Sequence, residues 1–373
     1  MTRLVRPDEL PVGARVARAV LSGHTASAPL LRAGAVVTES IRSALERSGV
    51  HGVYIDDEPT GGIEPTPALD ERTRLEVTNA LAVAFAEAPA ALSEQRALRY
   101  RTVADLESTV VSIIDDILDV DVATLALSSL ASAEAYTLEH SIDVAVLGLL
   151  TANRLFRERG RIDYTGERTH SGISDALHRF GIGLLLHDVG KLGLPAAIAK
   201  KQGPLSEEER DIVREHPLVG LGLLDEAQVS SHAVAVVRWH HEQFDGNGYP
   251  DGLRGAAIPQ FARIAAVADA YSALTTPRPF HDATPPQVAL ARIRAGAGSF
   301  FDPEVVEVFG SLVAPYPPGS ALTLADGQRG VVVRVRPEQL DRPLVRVVRD
   351  RSGAPVEPYD IDLFDDSELA PAA

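Results

Sequence analysis

Apolar residues recur at helical spacing through most of this chain. Between residues 68 and 162, and again after residue 175, they follow the period of one face of an α-helix. The stretch 102–130 shows this best, with Val103, Leu106, Val110, Ile113 and Ile117 on one face. Ser206 and Glu209 have the spacing of a capping box, which predicts another helix start. The pattern therefore predicts a mainly α protein.

The two ends of the chain have a different pattern. Residues 1–58 combine short β-prone pieces with one helix, for which Thr38 is the predicted N-cap and Gly49 the C-terminal stop. Near the other end, β-branched runs at 330–335 and 344–348 are separated by turn residues. We therefore divide the chain into a small α+β N-terminal module (1–58), a linker and helix (59–99), an all-helical domain (100–315) and a small β C-terminal module (316–373).

The apolar stripe at 102–130 allows two interpretations. It is typical of a helix that packs in a core, and we favour this interpretation because most amphipathic helices pack in this way. The alternative is a dimerisation helix, with a homodimer formed through residues 68–130.

Composition and charge narrow the class of function. The 373 residues are 45% hydrophobic and 24% charged, as in globular proteins, and they include no cysteine, which excludes disulfides and thiolate metal sites. A formal net charge of −16 disfavours binding to nucleic-acid polymers and anionic membranes. The N-terminus has no signal-peptide core, and no run is expected to reach the ~18 apolar residues of a membrane span. A soluble cytoplasmic protein is predicted.

Histidines and acidic residues are concentrated at a few places. His240 and His241 precede a glycine-rich loop, and His187 and Asp188 follow an apolar helix. Imidazole nitrogen and carboxylate oxygen together suit Mn, Fe, Zn, Co or Ni, and one carboxylate can bridge two metals. Lys191 shares the helical face of this pair, where its ammonium could hold a phosphate oxygen. By itself the short motif is equally typical of a helix end with ordinary charges.

The remaining candidates have ordinary alternatives when each is taken alone. His140 and His216 are individually typical of structural histidines. Asp269 interrupts an almost wholly apolar run, so its carboxylate requires a metal or an arginine such as Arg263 or Arg278. Collectively, the candidates are about as many as a two-metal phosphoesterase site uses. The predicted ligands are His140, His187, Asp188, His216, His240, His241 and Asp269.

The order of these motifs resembles the HD-GYP family, a branch of the HD phosphohydrolases. The matching segments cover roughly residues 100–313 and include the His187-Asp188 pair and the loop Gly248-Tyr249-Pro250. The resemblance implies an all-helical domain in which the seven predicted residues bind metal and Asp188 bridges. It also implies a catalytic role for Asp188 and Lys191. The substrate contacts that it implies are Lys191, Gly248, Tyr249, Pro250 and Arg278.

The resemblance also implies an activity. Members of this family hydrolyse the bacterial second messenger cyclic di-GMP at a two- or three-metal centre, commonly of iron or manganese. We therefore expect a phosphodiesterase that forms pGpG, GMP or both, using two divalent ions, Fe or Mn, and a hydroxide that they activate. One alternative is a different cyclic dinucleotide as substrate. Another is a signalling or interaction module that responds to cyclic di-GMP without hydrolysing it.

The chain departs from the family pattern at several positions. Tyr136 stands where some members have a glutamate that supports a third metal, so two metals are expected. Ser272 replaces the usual aspartate, and Phe280-His281 replace the usual tyrosine and arginine or lysine. We expect these changes to affect substrate fit and not the metal site. The polar stretch 159–174 is interpreted as an inserted loop.

Overall fold

The structure is a computed structural model of the chain. It describes residues 2–5, 7, 10–17, 20, 30–47, 53–56, 63, 68–118, 133–163, 165–199, 201, 203–225, 229–276, 283–365 and 370–371. Their hydrophobic residues form three separate buried clusters, one near each end of the chain and a large one between them.

The N-terminal part is a small antiparallel sheet with one helix. Its elements are β1 (Thr2–Val5), β2 (Arg15–Val16), α1 (Glu39–Arg47) and β3 (Val53–Asp56), with strand order β1-β3-β2. The Thr38 hydroxyl accepts a hydrogen bond from Ile41 N at 3.3 Å, which confirms the predicted N-cap of α1. The predicted stop at Gly49 lies outside the described residues.

The central part is helical, and all its long helices share one hydrophobic core. The helices of this part are α2 (Glu71–Ser93), α3 (Tyr100–Leu118), α4 (Ala133–Arg159), α5 (Ile173–Leu186), α6 (Ala196–Ala199), α7 (Glu207–Arg214), α8 (His216–Leu221), α9 (Ser231–Trp239), α10 (Gln260–Thr275), α11 (Pro286–Ala295) and α12 (Pro303–Leu312). The short helices α6 and α7 bury no residue and do not contribute to this core. Helix α4 packs against α5, α10 and α12, while α5 also packs against α3 and α9. The shared core extends from Ala68 to Val313, so α2 belongs to it as well.

Helix α3 buries the apolar face that its sequence pattern predicted. Val103, Leu106, Val110 and Ile113 are buried within the single chain, whereas Leu118 is exposed. The packing interpretation is therefore confirmed for the described part of this segment. Residues 119–130 lie outside the described residues, and the homodimer stays a prediction.

The segment 159–174, expected to be a loop, contains a short antiparallel hairpin. Strands β4 (Arg161–Ile162) and β5 (Arg168–Thr169) pair with each other. Ile162 N donates a hydrogen bond to Gln260 Oε1 at 2.8 Å, which attaches the hairpin to α10. The loop interpretation is therefore wrong for these residues.

The C-terminal part is an antiparallel sheet in the order β6-β7-β8-β9. Its strands are β6 (Ala321–Thr323), β7 (Arg329–Arg336), β8 (Gln339–Arg349) and β9 (Pro355–Asp362). Val332, Val345 and Val347 form the centre of its own buried cluster. The predicted fold class, mainly α with a small C-terminal β module, is confirmed.

Helix α2 is long and apolar enough to cross a membrane by length and composition alone. Its stretch Arg72–Ser93 reaches a mean hydropathy of 1.2 in an 18-residue window, of which 28% is buried. Core helices of soluble proteins meet the same criterion. Many of the apolar residues in this stretch are alanines, which raise hydropathy without forming an obvious apolar run. The absence of a membrane span and the cytoplasmic location therefore stay predictions.

Candidate metal centre

Three of the predicted ligands lie at the ends of helices, whereas His140 and Asp269 lie within α4 and α10. His187 is the C-terminal cap of α5, His240 is that of α9, and His216 begins α8. After His187 the chain makes a 3-10 turn over Val189–Gly193 that packs against α8. A Cβ atom at Gly190 would lie 2.0 Å from the carbonyl oxygen of His216, so only glycine allows this close approach.

All seven predicted ligands converge in the structure. Within each of two groups, the ligand atoms all lie within 4.8 Å of one another. Five of the seven residues are almost completely buried, and Asp269 and His241 are partly exposed. One group is Asp188, His216, His240 and His241, and the other is His140, His187 and Asp269.

The Asp188 carboxylate lies between the two groups. Its Oδ1 is 3.3 Å from His216 Nε2 and 3.7 Å from His240 Nε2. Its Oδ2 is 3.4 Å from His187 Nε2 and 3.8 Å from His140 Nε2. Each oxygen thus faces one histidine pair, so each could contribute a ligand atom to one of the two groups.

Asp269 also contacts both groups. Its Oδ1 is 3.0 Å from His140 Nε2 and 3.9 Å from His187 Nε2, and its Oδ2 is 3.9 Å from His241 Nδ1. The carboxylate that interrupts the apolar run of α10 therefore faces imidazoles on the inside of the helical core.

Two arginines were proposed as alternative partners of Asp269, and the structure describes one of them. Arg263 forms a buried ion pair with Asp302, so the interpretation in which it neutralises Asp269 is wrong. Arg278 lies outside the described residues.

Backbone carbonyls fix the orientation of three histidines. A carbonyl oxygen can only accept, so the Nδ1 atom bonded to it carries the proton and Nε2 presents its lone pair to the centre. The bonds run from His187 Nδ1 to Leu184 O at 2.8 Å, from His216 Nδ1 to Val213 O at 2.7 Å and from His240 Nδ1 to Val236 O at 3.0 Å.

His140 differs, because its Nδ1 contacts the hydroxyl of Ser272 at 2.9 Å. Ser272 is fully buried on α10, three residues after Asp269. The structure therefore places Ser272 against a predicted ligand, a contact that the sequence analysis did not expect, and the effect of this departure on substrate fit stays a prediction. The i+3 spacing from Asp269 was the sequence signal for this contact.

Two buried atoms at the centre have no hydrogen-bond partner among the described residues: His187 Nε2 and Asp188 Oδ1. An unpaired buried polar atom is costly in a native structure and points to a missing partner. A divalent cation satisfies both atoms, because one offers a nitrogen lone pair and the other a carboxylate oxygen. The residues present therefore fit a metal.

The protonation states also suit metal binding. Burial lowers the pKa of His140, His240 and His241, which keeps these imidazoles neutral. Burial acts in the same direction on His187, but its carboxylate neighbours outweigh it and raise the pKa of that imidazole. Burial alone would raise the pKa of the Asp188 carboxyl, yet Lys191 and His187 hold it well below its usual value.

The Asp269 carboxyl is likewise ionised. Burial opposes its charge, but the adjacent His140 lowers the pKa of this carboxyl far below its usual value. Two carboxylates and mainly neutral imidazoles together form a donor set for divalent cations.

The predicted loop Gly248-Tyr249-Pro250 covers one side of the centre. A Cβ at Gly248 would lie 2.2 Å from the backbone nitrogen of Gln243, so glycine is required there. The Tyr249 ring stacks on His241 with centroids 4.8 Å apart. Burial raises the pKa of Tyr249, which keeps its hydroxyl protonated. The peptide bond before Pro250 is cis.

Glu242 holds this loop, a role that the sequence did not indicate. Its side chain is buried, and its two oxygens accept hydrogen bonds from Asp251 N at 2.7 Å and Leu253 N at 2.9 Å. In the sequence, its position between two histidines and a glycine-rich loop was the feature that could have drawn attention to it. Lys191 lies at the edge of the centre. Its Nζ is 2.6 Å from Asp188 Oδ2, and its side chain is 37% exposed.

Comparisons with known proteins agree with this arrangement. Residues 166–305 match the sequence model of the HD domain family, which is metal-dependent. The cyclic di-GMP phosphodiesterase PA4108 of Pseudomonas aeruginosa is 36% identical over 65% of this chain and 55% of its own length. The 3'3'-cGAMP-specific phosphodiesterase 2 of Vibrio cholerae is 36% identical over 33% of this chain and 24% of its own length.

A solved structure shows the same fold. Bd1817, described as an HDG"Y"P protein from Bdellovibrio bacteriovorus, matches with a TM-score of 0.50 and 16% identity, over 83% of this chain and 98% of Bd1817. The chain spans about half the length of the first relative, at 55%, and a smaller part of the second, at 24%. Residues 166–305 match the HD domain family, and the predicted resemblance to the HD-GYP family is confirmed.

Proposed function

We propose that this protein is a metal-dependent phosphodiesterase that hydrolyses cyclic di-GMP to pGpG, GMP or both. We further propose that it uses two divalent cations, with iron or manganese as the expected metals. The phosphodiesterase of P. aeruginosa, named for this substrate, supports the proposal.

One observation carries the proposal. Asp188 turns one oxygen toward His216 and His240 and the other toward His187, at 3.3–3.7 Å. A carboxylate buried between two sets of imidazoles is costly unless cations neutralise it, and two ions about 3.5–4 Å apart are a recurrent device of phosphoester hydrolysis.

The surrounding side chains can bind and orient a phosphodiester. When bound, the two cations supply a hydroxide nucleophile at neutral pH and stabilise the charge on the phosphoryl oxygens. The partly exposed Lys191 ammonium lies 2.6 Å from Asp188 Oδ2, and its positive charge beside the centre can attract a phosphate oxygen. The Tyr249 hydroxyl stays protonated and is therefore a hydrogen-bond donor.

The reaction consumes one water for each bond cleaved. The water oxygen forms a bond to phosphorus, the bond from phosphorus to the 3'-oxygen breaks, and that oxygen takes a proton. The first cleavage of cyclic di-GMP gives pGpG, and a second gives two GMP. Asp188 and the neutral imidazoles hold the reacting centre, and Tyr249 with the Glu242-anchored loop covers one side of it.

The test is product analysis with defined metals. Metal-free protein is loaded anaerobically with iron(II) or manganese(II), incubated with cyclic di-GMP and followed by chromatography. We expect pGpG or GMP from the wild type and none from Asp188→Ala, which should lose bound metal while keeping its helicity. Asp175→Ala is the matched control, because Asp175 is exposed and forms a surface ion pair with Arg179. Binding of cyclic di-GMP without turnover in either metal would overturn the proposal in favour of a non-hydrolysing module.

A second candidate substrate is another cyclic dinucleotide. The relative from V. cholerae named for 3'3'-cGAMP favours it. The changes at Phe280 and His281 also favour it, although both lie outside the described residues. In a panel of cyclic dinucleotides, kcat/KM for cyclic di-GMP far below that for another member would establish this alternative.

A further inference from the structure

A cavity lies where the C-terminal sheet meets the helical domain. Its volume is about 640 Å³, which is within the range of about 300–1,000 Å³ that small-molecule sites occupy. Its lining comes from Gln287 of α11, from Tyr316 and from strands β6, β7 and β8. None of the seven predicted metal ligands lines this cavity, so it is distinct from the metal centre.

Two arginines of the cavity lie directly opposite each other in the sheet. Arg329 of β7 and Arg349 of β8 are register partners, and both line the cavity. Directly opposite residues on one face have Cβ atoms about 4.5–5.5 Å apart, and like charges at such positions destabilise a sheet. Both side chains are exposed, so water and salt reduce this cost without removing it. An anion between the two guanidinium groups would turn the repulsion into a favourable contact.

Other arginines of the same sheet have carboxylate partners. These pairs are Arg336–Asp362, Arg346–Asp360 and Arg351–Asp326. Arg329 and Arg349 form no such ion pair within the part of the chain that the structure describes, and Arg349 donates a hydrogen bond to the carbonyl oxygen of Gly353 at 2.9 Å. A guanidinium carries five N–H groups in a fixed fork, so the two side chains can donate together to a phosphate.

The rest of the lining suits a ring attached to that anion. Leu322 and Val331 contribute buried apolar side chains. The half-buried Tyr316 adds a ring, and burial together with the charge of Asp341 raises the pKa of its hydroxyl, which therefore stays protonated and can donate. The Gln287 amide can both donate and accept, as recognition of the edge of a base requires.

We propose that this cavity is a second ligand site, which binds a nucleotide through its terminal phosphate. A phosphomonoester carries about 1.5 to 2 negative charges near pH 7, which match the two guanidinium charges of Arg329 and Arg349 better than the single charge of a phosphodiester. GMP and pGpG carry such a group, whereas cyclic di-GMP contains only phosphodiesters. Identifying the ligand as a reaction product rests on the proposed function, while the site itself does not.

Calorimetric titration of the full chain with GMP tests the site. Wild-type protein should bind GMP, and Arg329→Gln and Arg349→Gln should each weaken binding by about tenfold or more. Asp188→Ala should bind GMP as the wild type does, because Asp188 does not line the cavity. Loss of GMP binding in Asp188→Ala would place the nucleotide at the metal centre and overturn the proposal.

Three further probes test the chemistry of the ligand. Guanosine has no phosphate, and the methyl ester of GMP carries one negative charge. Both should bind about tenfold or more weakly than GMP, because charge-assisted hydrogen bonds are lost or weakened. Inorganic phosphate should also bind more weakly, because it lacks the base. Inorganic phosphate that binds as tightly as GMP would overturn the assignment of a nucleotide.

Arg334→Gln is the matched control. Arg334 lies on β7 like Arg329, is exposed and forms no ion pair with any residue that the structure describes, but it does not line the cavity. Its replacement removes the same charge from the same strand and should leave GMP affinity unchanged. Equal affinities of the wild type, Arg329→Gln and Arg334→Gln would overturn the proposal.

Thermal unfolding separates a binding role from a structural one. Without nucleotide, Arg329→Gln should have a Tm at least as high as the wild type, because it removes the repulsion from Arg349. GMP should raise the Tm of the wild type and not that of the variant. A lower Tm of Arg329→Gln without nucleotide would show that the arginine stabilises the sheet and would overturn its role in binding.

The two proposals can fail separately. Hydrolysis of cyclic di-GMP by a protein that binds no GMP through Arg329 and Arg349 would overturn this inference and leave the proposed function standing. Arginine-dependent binding of GMP by a protein that hydrolyses no cyclic dinucleotide would overturn the proposed function and support the second site.

Discussion

Replacing Glu242 with glutamine tests how the loop over the metal centre is held. The carboxylate accepts from Asp251 N and Leu253 N, and a glutamine amide can accept only one of these bonds. A hydrogen bond to a charged group contributes about 1.5–3 kcal/mol. One of the two backbone N–H groups would lose its acceptor, so we expect the loop to be destabilised by about that amount.

Hydrogen exchange of the two amides is the direct assay. A loss of about 1.5–3 kcal/mol corresponds to about 10- to 150-fold faster exchange at Asp251 or Leu253 in Glu242→Gln. Because Tyr249 belongs to the same loop, KM for the cyclic dinucleotide should rise while the bound metal stays unchanged.

A matched control shows whether the effect is specific. Glu76→Gln makes the same substitution in α2, where Glu76 forms a solvent-exposed pair with Arg72. Its effect on stability should stay below about 0.5 kcal/mol. Unchanged exchange at Asp251 and Leu253 in Glu242→Gln would refute the assignment of Glu242 as the anchor of the loop.

Three further predictions follow from other parts of the structure. Gly248→Ala places a Cβ 2.2 Å from Gln243 N, so the loop must shift. The affinity for the substrate should then fall at least tenfold while the metal content stays unchanged. A variant with the KM of the wild type would contradict this prediction. Burial and nearby arginines lower the pKa of the His232 imidazole from 6.5 in the folded protein. As the pH falls below about 6.5, the unfolded chain therefore binds a proton that the folded protein does not, and the free energy of unfolding decreases. Urea unfolding at about pH 7.5 and about pH 5.5 should show a smaller decrease of this free energy in His232→Leu than in the wild type. Asp302→Asn leaves the buried Arg263 charge uncompensated and should cost about 3–5 kcal/mol in thermal or urea unfolding, whereas a cost below about 1 kcal/mol would show that this pair is not structural.

The sequence predicted the elements that have a strong local signal. The apolar stripe of α3, the Thr38 cap and the capping box of Ser206 and Glu209 all appear as expected. These features depend on residues three or four positions apart, so a single segment contains the information. The β4–β5 hairpin was missed because each strand has two residues, too few for an alternating pattern.

The candidate site was predicted as a set of residues but not as an arrangement. The resemblance to a known family indicated which side chains would converge, and the structure brings them together. The contact of Ser272 with His140 joins residues 132 positions apart, and Glu242 acts on backbone amides, which every residue except proline carries. Such contacts depend on the packing of α4 against α10 and on the path of the loop, and the local spacing around Ser272 and Glu242 does not specify either.

The carbonyls that orient His187, His216 and His240 belong to the last turns of α5, α7 and α9. Carbonyls in a final helical turn lack some of their intrahelical donors, and each of these three accepts a hydrogen bond from an imidazole, although Val236 O also accepts one from His240 N. The position at which each helix ends therefore determines the direction of its histidine side chain. Inserting one residue just before His187 would rotate its side chain about 100° around the helix axis and remove the carbonyl bond together with the ligand. Changes in chain length should therefore be tolerated in the loops between these helices and not within their final turns.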